Sequence, residues 1–257
     1  MKTALIRQPA GLGDIFWLQP LVDDMASRGF EVIYPVCDHY YDVVKKSIKT
    51  NNSNFVRESS LKGKLQDVYQ QTEEIIEDDF EYHPFDCVTD HRLDSFNPAY
   101  RGLNVMEIKY IYYHGLNPDF DRDAADWRKS VTIIRDKERE QKYEESRNIS
   151  DDKEFIWVNR VFGTPPDTVF RDIELPDNIQ IVENDMILEN IFDVCGAFEK
   201  AKAIHSVETC FCWIAELVNT KADLHLYSRK IGNNNQFHNN SYIDLIYRGD
   251  WTKHGCL

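Results

Sequence analysis

The stretch Arg7–Met25, RQPAGLGDIFWLQPLVDDM, decides the fold. Gly11 and Gly13 flank a leucine, Asp14 follows at once, and a helical pattern begins. Glycines ahead of a helix let a ligand approach the backbone, and the free N–H groups of a helix start favour an anion. A carboxylate there competes with a phosphate for the positive end of the helix dipole. Asp is also a favoured N-cap, worth ~1 kcal/mol. Read locally, Asp14 is either a helix cap or a reactive carboxylate.

Working outward, Lys2 to Ile6 reads as a short buried strand. Asp14 to Ser27 reads as one helix, with Ile15, Leu18, Val22 and Met25 at helical spacing. Pro20 should kink it or tighten its first turns, and Gly29 suits its C-terminal stop. Glu31 to Val36 is a second strand. Strand, glycine turn, helix and strand open a doubly wound α/β domain. Leu61 to Asp79 reads as a helix, Phe85 to Thr89 as a strand ending in DHRLD, and Val105 to His114 as a helix.

Residues 135–147, RDKEREQKYEESR, are almost wholly polar and read as a solvated helix or connector. A domain boundary is expected there, giving domains 1–140 and 141–257. The alternation restarts with strand Glu154 to Val158, strand Ile179 to Val182, helix Met186 to Lys200 and strand Ala203 to His205. Helix Thr209 to Val218 and strand Leu224 to Tyr227 follow, then a polar loop or tail, GNNNQFHNNS. No short fixed-period repeat is present. The economical architecture is α/β, two Rossmann-like domains facing each other across a cleft.

At 257 residues the chain suits one large or two small domains, since a domain averages ~150 residues. A net charge of -14 argues against a nucleic-acid partner, because no basic surplus is available to neutralise phosphates. The six cysteines form no CxxC pair, and the sequence contains no long apolar run. A reduced, cytoplasmic protein without a transmembrane segment is expected.

Gly11-Leu12-Gly13 supplies two of the three glycines of a dinucleotide fingerprint, and Phe16 takes the third place. Asp38 is read as ending the second strand, about where an acid would hold a ribose. The dinucleotide reading is opposed by Asp14 itself.

The strand, Arg7, Gly11-Leu12-Gly13-Asp14 and a helix holding Gln19-Pro20-Leu21 resemble the opening of glycosyltransferase family 9, the lipopolysaccharide heptosyltransferase family. The resemblance covers residues 1–40 well and residues 154–227 by pattern only. It implies a GT-B fold with the acceptor on the N-terminal domain and the nucleotide-sugar donor on the C-terminal one. It makes Asp14 the general base, with Gly11 and Gly13 letting the acceptor come close. On this reading no phosphate belongs at the first glycine turn, and one carboxylate oxygen could cap while the other faces the acceptor.

In the second half, IHSVETCFCWIAELV sets His205, Ser206, Glu208 and Thr209 between a strand and a helix. The helix start could bind a diphosphate, with Ser206 and Thr209 adding hydroxyls and Glu208 holding a ribose. Helix capping competes for Ser206 and Thr209, and an ordinary strand-end hydrogen bond for His205. The turn resembles the family's donor-binding turn, with SVET in place of its usual run. Arg160, in VNRVFG after the first strand of this half, could pair with a diphosphate or sit in a surface ion pair. Glu183, after the next strand, is a candidate for a nucleoside hydroxyl. Arg229 and Lys230 could sit near the phosphate or form a solvated pair. Asp90, His91 and Arg92 could position the acceptor or form a structural loop.

No metal is expected: His83, Asp90 and His91 lack a ligand pattern, Cys210 and Cys212 match no zinc spacing and read as core, and no convincing DxD-type metal run stands between the halves. No cofactor is expected beyond the nucleotide sugar as substrate. The resemblance implies an inverting, metal-independent transferase acting on a glycan or lipid-linked acceptor, cytoplasmic or peripheral at a membrane. The alternatives are a nucleotide-sugar epimerase of the same architecture and a non-catalytic nucleotide-binding module.

Overall fold

The computed structural model describes residues 2–8, 11–71, 75–77, 80–86, 105–164, 167–184, 190–218, 220–227, 246–247 and 249–254. The chain divides into two compact units, Met1–Thr132 and Ile133–Leu257.

In unit 1, β1 (Lys2–Arg7) buries Ala4, Leu5 and Ile6 completely. Apolar side chains on both faces mark a strand covered on both sides. The single helix expected after it is two. α1 (Leu12–Trp17) and α2 (Gln19–Ser27) meet at Leu18, with Pro20 in the first turn of α2. Proline cannot donate inside a helix, so it starts a new one here. The Ile15 carbonyl accepts from the buried Gln19 side chain at 2.7 Å across the break. Gly29, at φ +88°, ends α2 in the left-handed conformation that glycine adopts without strain.

β2 (Phe30–Val36) follows, then α3 (Asp38–Ser47), β3 (Ile48–Thr50), β4 (Asn54–Arg57) and α4 (Lys64–Gln71). β5 (Ile75–Glu77), β6 (Phe80–Asp86), α5 (Val105–Leu116) and β7 (Val131–Ile133) follow. The helix expected over 61–79 ends at Gln71, and Ile75 and Ile76 belong to a strand. β-Branched residues suit a strand better than a helix, and β5 pairs antiparallel with β6. The main sheet runs β4-β2-β1-β6-β5, parallel except for β5. The chain fills one side of β1 first and then crosses to the other. That reversal creates a crevice position at the carboxyl ends of β1 and β6, where open α/β sheets bind ligands.

Unit 2 opens with α6 (Lys137–Ser146), capped by the Asp136 side chain on the Arg139 N–H. The expected solvated helix or connector is a helix, but a packed one that buries Glu140 and Tyr143. Glu140 is buried only because Arg135 and Lys137 bond it, and Tyr143 accepts from the Trp157 indole at 2.9 Å. The strands are β8 (Phe155–Asn159), β9 (Val161–Thr164), β10 (Asp167–Phe170), β11 (Gln180–Glu183), β12 (Ala203–Val207), β13 (Asp223–Tyr227) and β14 (Trp251–His254). The helices are α7 (Cys195–Lys200) and α8 (Cys210–Val218). α7 is shorter than the helix expected over 186–200. A 3-10 turn, Ile191–Val194, precedes it, capped by the Asn190 side chain on the Phe192 N–H.

The main sheet of unit 2 is wholly parallel in the order β11-β8-β12-β13-β14, while β9 and β10 form a separate antiparallel hairpin. One face packs Trp157 against Phe198 and Phe211, with ring centroids 4.7 and 5.0 Å apart. The other packs Ile156, Val158 and Ala203 under Ile173. The order reverses between β8 and β12, so the ligand-binding position lies at Asn159 and at the residues after Val207. The polar 232–241 loop, Arg229 and Lys230 lie outside the described residues. Among the described residues, no helix is long and apolar enough to cross a membrane.

Candidate active site

In unit 1, the reversal point holds a three-residue cluster. Gly11, at φ +91°, is the N-cap of α1, and no side chain caps that helix. Asp14 lies in the first turn instead of at the cap, which corrects the capping expectation for its side chain. Its Oδ1 accepts from the Lys109 ammonium at 2.5 Å. Lys109 also donates to Gln8 Oε1 at 2.9 Å, and Gln8 Nε2 lies 3.4 Å from Asp14 Oδ2. Lys109 is 3 % exposed, while the Asp14 side chain is 22 % exposed.

Gly11 has a specific reason to be glycine: a Cβ there would overlap Asp14 Oδ2. The first glycine of the turn therefore makes room for the turn's own carboxylate. Gly13 lies in the first turn of α1. Arg7 places its guanidinium over the Tyr69 ring.

Tertiary packing sets the lysine. Tyr110 stacks on Trp17 at 4.2 Å between ring centroids, and its hydroxyl donates to the Trp17 carbonyl at 2.7 Å. This ties α5 to α1 and presents the neighbouring Lys109 to Asp14. Lys109 and Gln8 were not among the sequence candidates. The available signal was a lone lysine within VMEIKYIYYHGL, because a cation on an apolar helix calls for a buried partner. Asp90, His91 and Arg92 lie outside the described residues. Asp38 starts α3 instead of ending β2, and bonds the Ser59 hydroxyl at 2.6 Å. That bond and one from the Ser59 N–H hold its carboxyl below the usual range.

In unit 2, the reversal point is built on Asn159. Asn159 Nδ2 donates to the Val161 carbonyl at 3.1 Å and lies 3.4 and 3.3 Å from the hydroxyls of Ser206 and Thr209. Its Oδ1 accepts from Asn184 Nδ2 at 2.9 Å. Asn159, Asn184 and Ser206 are buried. Buried amides and hydroxyls are costly unless satisfied, so the network fixes both strand ends. Thr209 immediately precedes α8, and the Glu208 N–H donates to the Tyr227 carbonyl at 3.0 Å. Ser206 and Thr209 are thus brought together by two asparagines that sequence reasoning passed over. A buried Asn closing the otherwise apolar strand FIWVN was the signal.

Arg160 and Glu183 meet each other. Arg160 Nε donates to Glu183 Oε1 at 2.9 Å, and its Nη1 to the Ile173 carbonyl at 2.7 Å. Arg160 therefore also anchors the chain that covers one sheet face.

His205 does not end its strand, which continues to Val207, and neighbouring strand residues point to opposite faces. His205 consequently leaves the Ser206 network and joins a ladder of rings. It stacks on His225 at 4.1 Å, and its Nδ1 lies 2.9 Å from the Tyr227 hydroxyl. His225 Nδ1 lies 2.9 Å from His254 Nε2. Burial, helped by His225 and His254, pushes His205 down to about 4, and burial lowers His225 and His254 as well. A cavity of about 650 Å³ opens beside His205 and His225, lined by Ile156, Ile179 and Lys202. Much of its wall comes from the amino ends of the strands, so it is distinct from the reversal-point site.

Burial drives the thiols of Cys195 and Cys212 up to about 12, in keeping with a packing role. Among the described residues, no group of three or more His, Cys, Asp or Glu side chains is placed to hold a metal ion.

No protein-family model and no curated protein matches the sequence. Among solved structures, the chain is similar to the glycosyl transferase family 9 from Veillonella parvula DSM 2008, with a TM-score of 0.57 and 9% identity. That match covers 98% of this chain and 86% of the other. The chain also aligns with E. coli heptosyltransferase WaaC with ADP, at a TM-score of 0.43 and 10% identity over 91% of this chain and 89% of that one. The likeness to the Veillonella protein is one of fold: two Rossmann-like α/β units in series, of the GT-B type.

Proposed function

We propose that this protein is an inverting glycosyltransferase that moves a sugar from a nucleotide-sugar donor to a hydroxyl of a glycan or lipid-linked acceptor. The observation that carries the proposal is the Asp14 carboxylate. It stands at the carboxyl-end reversal point of unit 1, held through Oδ1 by Lys109. The family 9 fold supports the same reading.

In the proposed reaction the acceptor oxygen bonds to the anomeric carbon of the donor sugar. Its proton passes to Asp14 Oδ2. The bond from that carbon to the diphosphate breaks, and the diphosphate leaves with the electron pair. Single displacement inverts the anomeric centre. A positioned base contributes typically ~10²–10⁴-fold.

The donor half belongs to unit 2. The first N–H groups of α8, the hydroxyls of Ser206 and Thr209 and the Arg160 guanidinium are proposed to take the diphosphate without a metal, using oriented dipoles and donors for the charge that develops. Arg160 would exchange Glu183 for phosphate. Glu208 and Glu183 are proposed for nucleoside hydroxyls. Asn159 keeps the two hydroxyls in place. His205 is left out, since it belongs to the ring ladder on the other face.

The test is a panel of nucleotide sugars, read first by thermal stabilisation and then, with glycan acceptors, by product mass. A ligand that binds the native state raises stability in proportion to RT ln(1 + [L]/Kd). Stabilisation by one donor and an acceptor gaining one sugar are expected. Epimerised nucleotide sugar or free sugar formed without acceptor would favour an epimerase.

A further inference from the structure

We infer that Lys109 is the positioning residue for Asp14: it grips Oδ1 and so fixes Oδ2 as the oxygen that takes the acceptor's proton. The inference rests on the reading of Asp14 as the base.

Burial is the first ground. An ammonium 3 % exposed needs partners of opposite polarity, and here these are the Asp14 carboxylate and the Gln8 amide oxygen. The contact is not a loose surface pair, whose energy would be small and easily screened. A core that needed only stability would be served as well by apolar side chains, because a buried ion pair often contributes no more than they do.

Geometry is the second ground. A carboxylate held at one oxygen by a buried cation cannot rotate freely about its last bond. Oδ2 is left over Gly11, where the missing Cβ gives it space, with Gln8 Nε2 3.4 Å away. Both partners ride on fixed helices, Asp14 on α1 and Lys109 on α5, tied by the Tyr110–Trp17 stack and hydrogen bond. A reacting group held by a second layer of locked side chains is what orientation requires, and a misplacement of ~1 Å can cost ~10²-fold in rate.

The experiment is a double-mutant cycle on sugar transfer with wild type, Lys109→Met, Asp14→Asn and the double variant. Nucleotide binding and folding are checked on each. Lys109→Met is expected to lower kcat ~10–100-fold, with acceptor KM and nucleotide affinity near wild type. In the Asp14→Asn background the same change should cost nothing further, since the base it serves is gone. Lys109→Arg, which keeps a charged donor, should restore part of the rate. Gln8→Ala leaves both charges in place and gives a second reading if Lys109→Met does not fold. It should lower kcat several-fold in a variant that melts below the wild type but is folded at the assay temperature.

Full kcat in Lys109→Met or Gln8→Ala beside an active wild type would overturn the positioning role alone. So would equal losses in the presence and absence of Asp14, the pattern of a merely structural residue. A wild type that transfers no sugar to any acceptor would overturn the positioning role and the glycosyltransferase reading together.

Discussion

Asn184 donates its side-chain amide to Asn159 Oδ1 at 2.9 Å, joining the carboxyl ends of two neighbouring parallel strands. The same Asn159 reaches toward the hydroxyls of Ser206 and Thr209 from its nitrogen. One side chain thus ties three segments at the reversal point of the unit 2 sheet. Asn159→Leu should remove the bond that Asn184 donates to Asn159 Oδ1 and leave both hydroxyls without this neighbour. A loss of ~1–3 kcal/mol in chemical denaturation is expected. Nucleotide affinity measured by calorimetry should fall as well. Wild-type affinity in a folded variant would detach the network from donor binding.

Gly11→Ala should disturb unit 1 in two ways. The residue sits at φ +91°, where an L side chain is strained, and its Cβ would overlap Asp14 Oδ2. The expected cost is about 1–3 kcal/mol in stability, with a fall in transfer rate because the carboxylate is displaced. Melting and steady-state assays read the two effects separately. Normal transfer would mean that the Oδ2 position does not matter.

Arg160→Ala should weaken donor binding by about 1.5–3 kcal/mol, the usual range for a charge-assisted hydrogen bond. It should also lower the melting temperature, because Arg160 holds the Ile173 carbonyl at 2.7 Å. A melting change with unaltered donor affinity by calorimetry would leave Arg160 with the anchoring role only.

Much of this arrangement was legible where it depends on neighbours in sequence. The glycine turn, the strand–helix alternation and the Ser206–Thr209 turn are local, and they stand at the carboxyl ends of strands as expected. The partners that complete each site come from far along the chain. Lys109 reaches Asp14 from α5, and Asn184 reaches Asn159 from the end of β11. No spacing rule encodes those contacts. His205 was misdirected by a strand boundary, because a strand running two residues further sends alternate side chains to opposite faces. The 137–146 helix reads as solvated because its buried acid is matched by Arg135, which lies before the helix.

The ring ladder gives a pH dependence of defined sign. His205 has its folded value pushed down to about 4, below the ordinary 6.5, so the neutral form is the one the fold accepts. Its contribution is present above about 6.5 and is lost as the pH falls from there toward about 4. His225 and His254 act in the same direction. Denaturation of the wild type should show a stability loss on the order of 1–3 kcal/mol across that window. His205→Phe should flatten the loss. An equally steep loss in the variant would assign the acid sensitivity to other groups.

The most direct measurement is sugar transfer by Asp14→Asn beside the wild type, with nucleotide affinity and melting recorded on the same samples. Asn keeps the shape, and its oxygen can still accept from Lys109, but it cannot take the acceptor's proton. Lys109 loses its counter-charge, so a stability cost of about 1–3 kcal/mol is expected, and the rates are to be compared well below the melting temperature. Nucleotide affinity should stay at the wild-type value, because the proposed donor residues belong to unit 2. The transfer rate should fall by ~10²–10⁴-fold. A folded Asn variant that transfers sugar at more than about a third of the wild-type rate, far outside that range, would contradict Asp14 as the base.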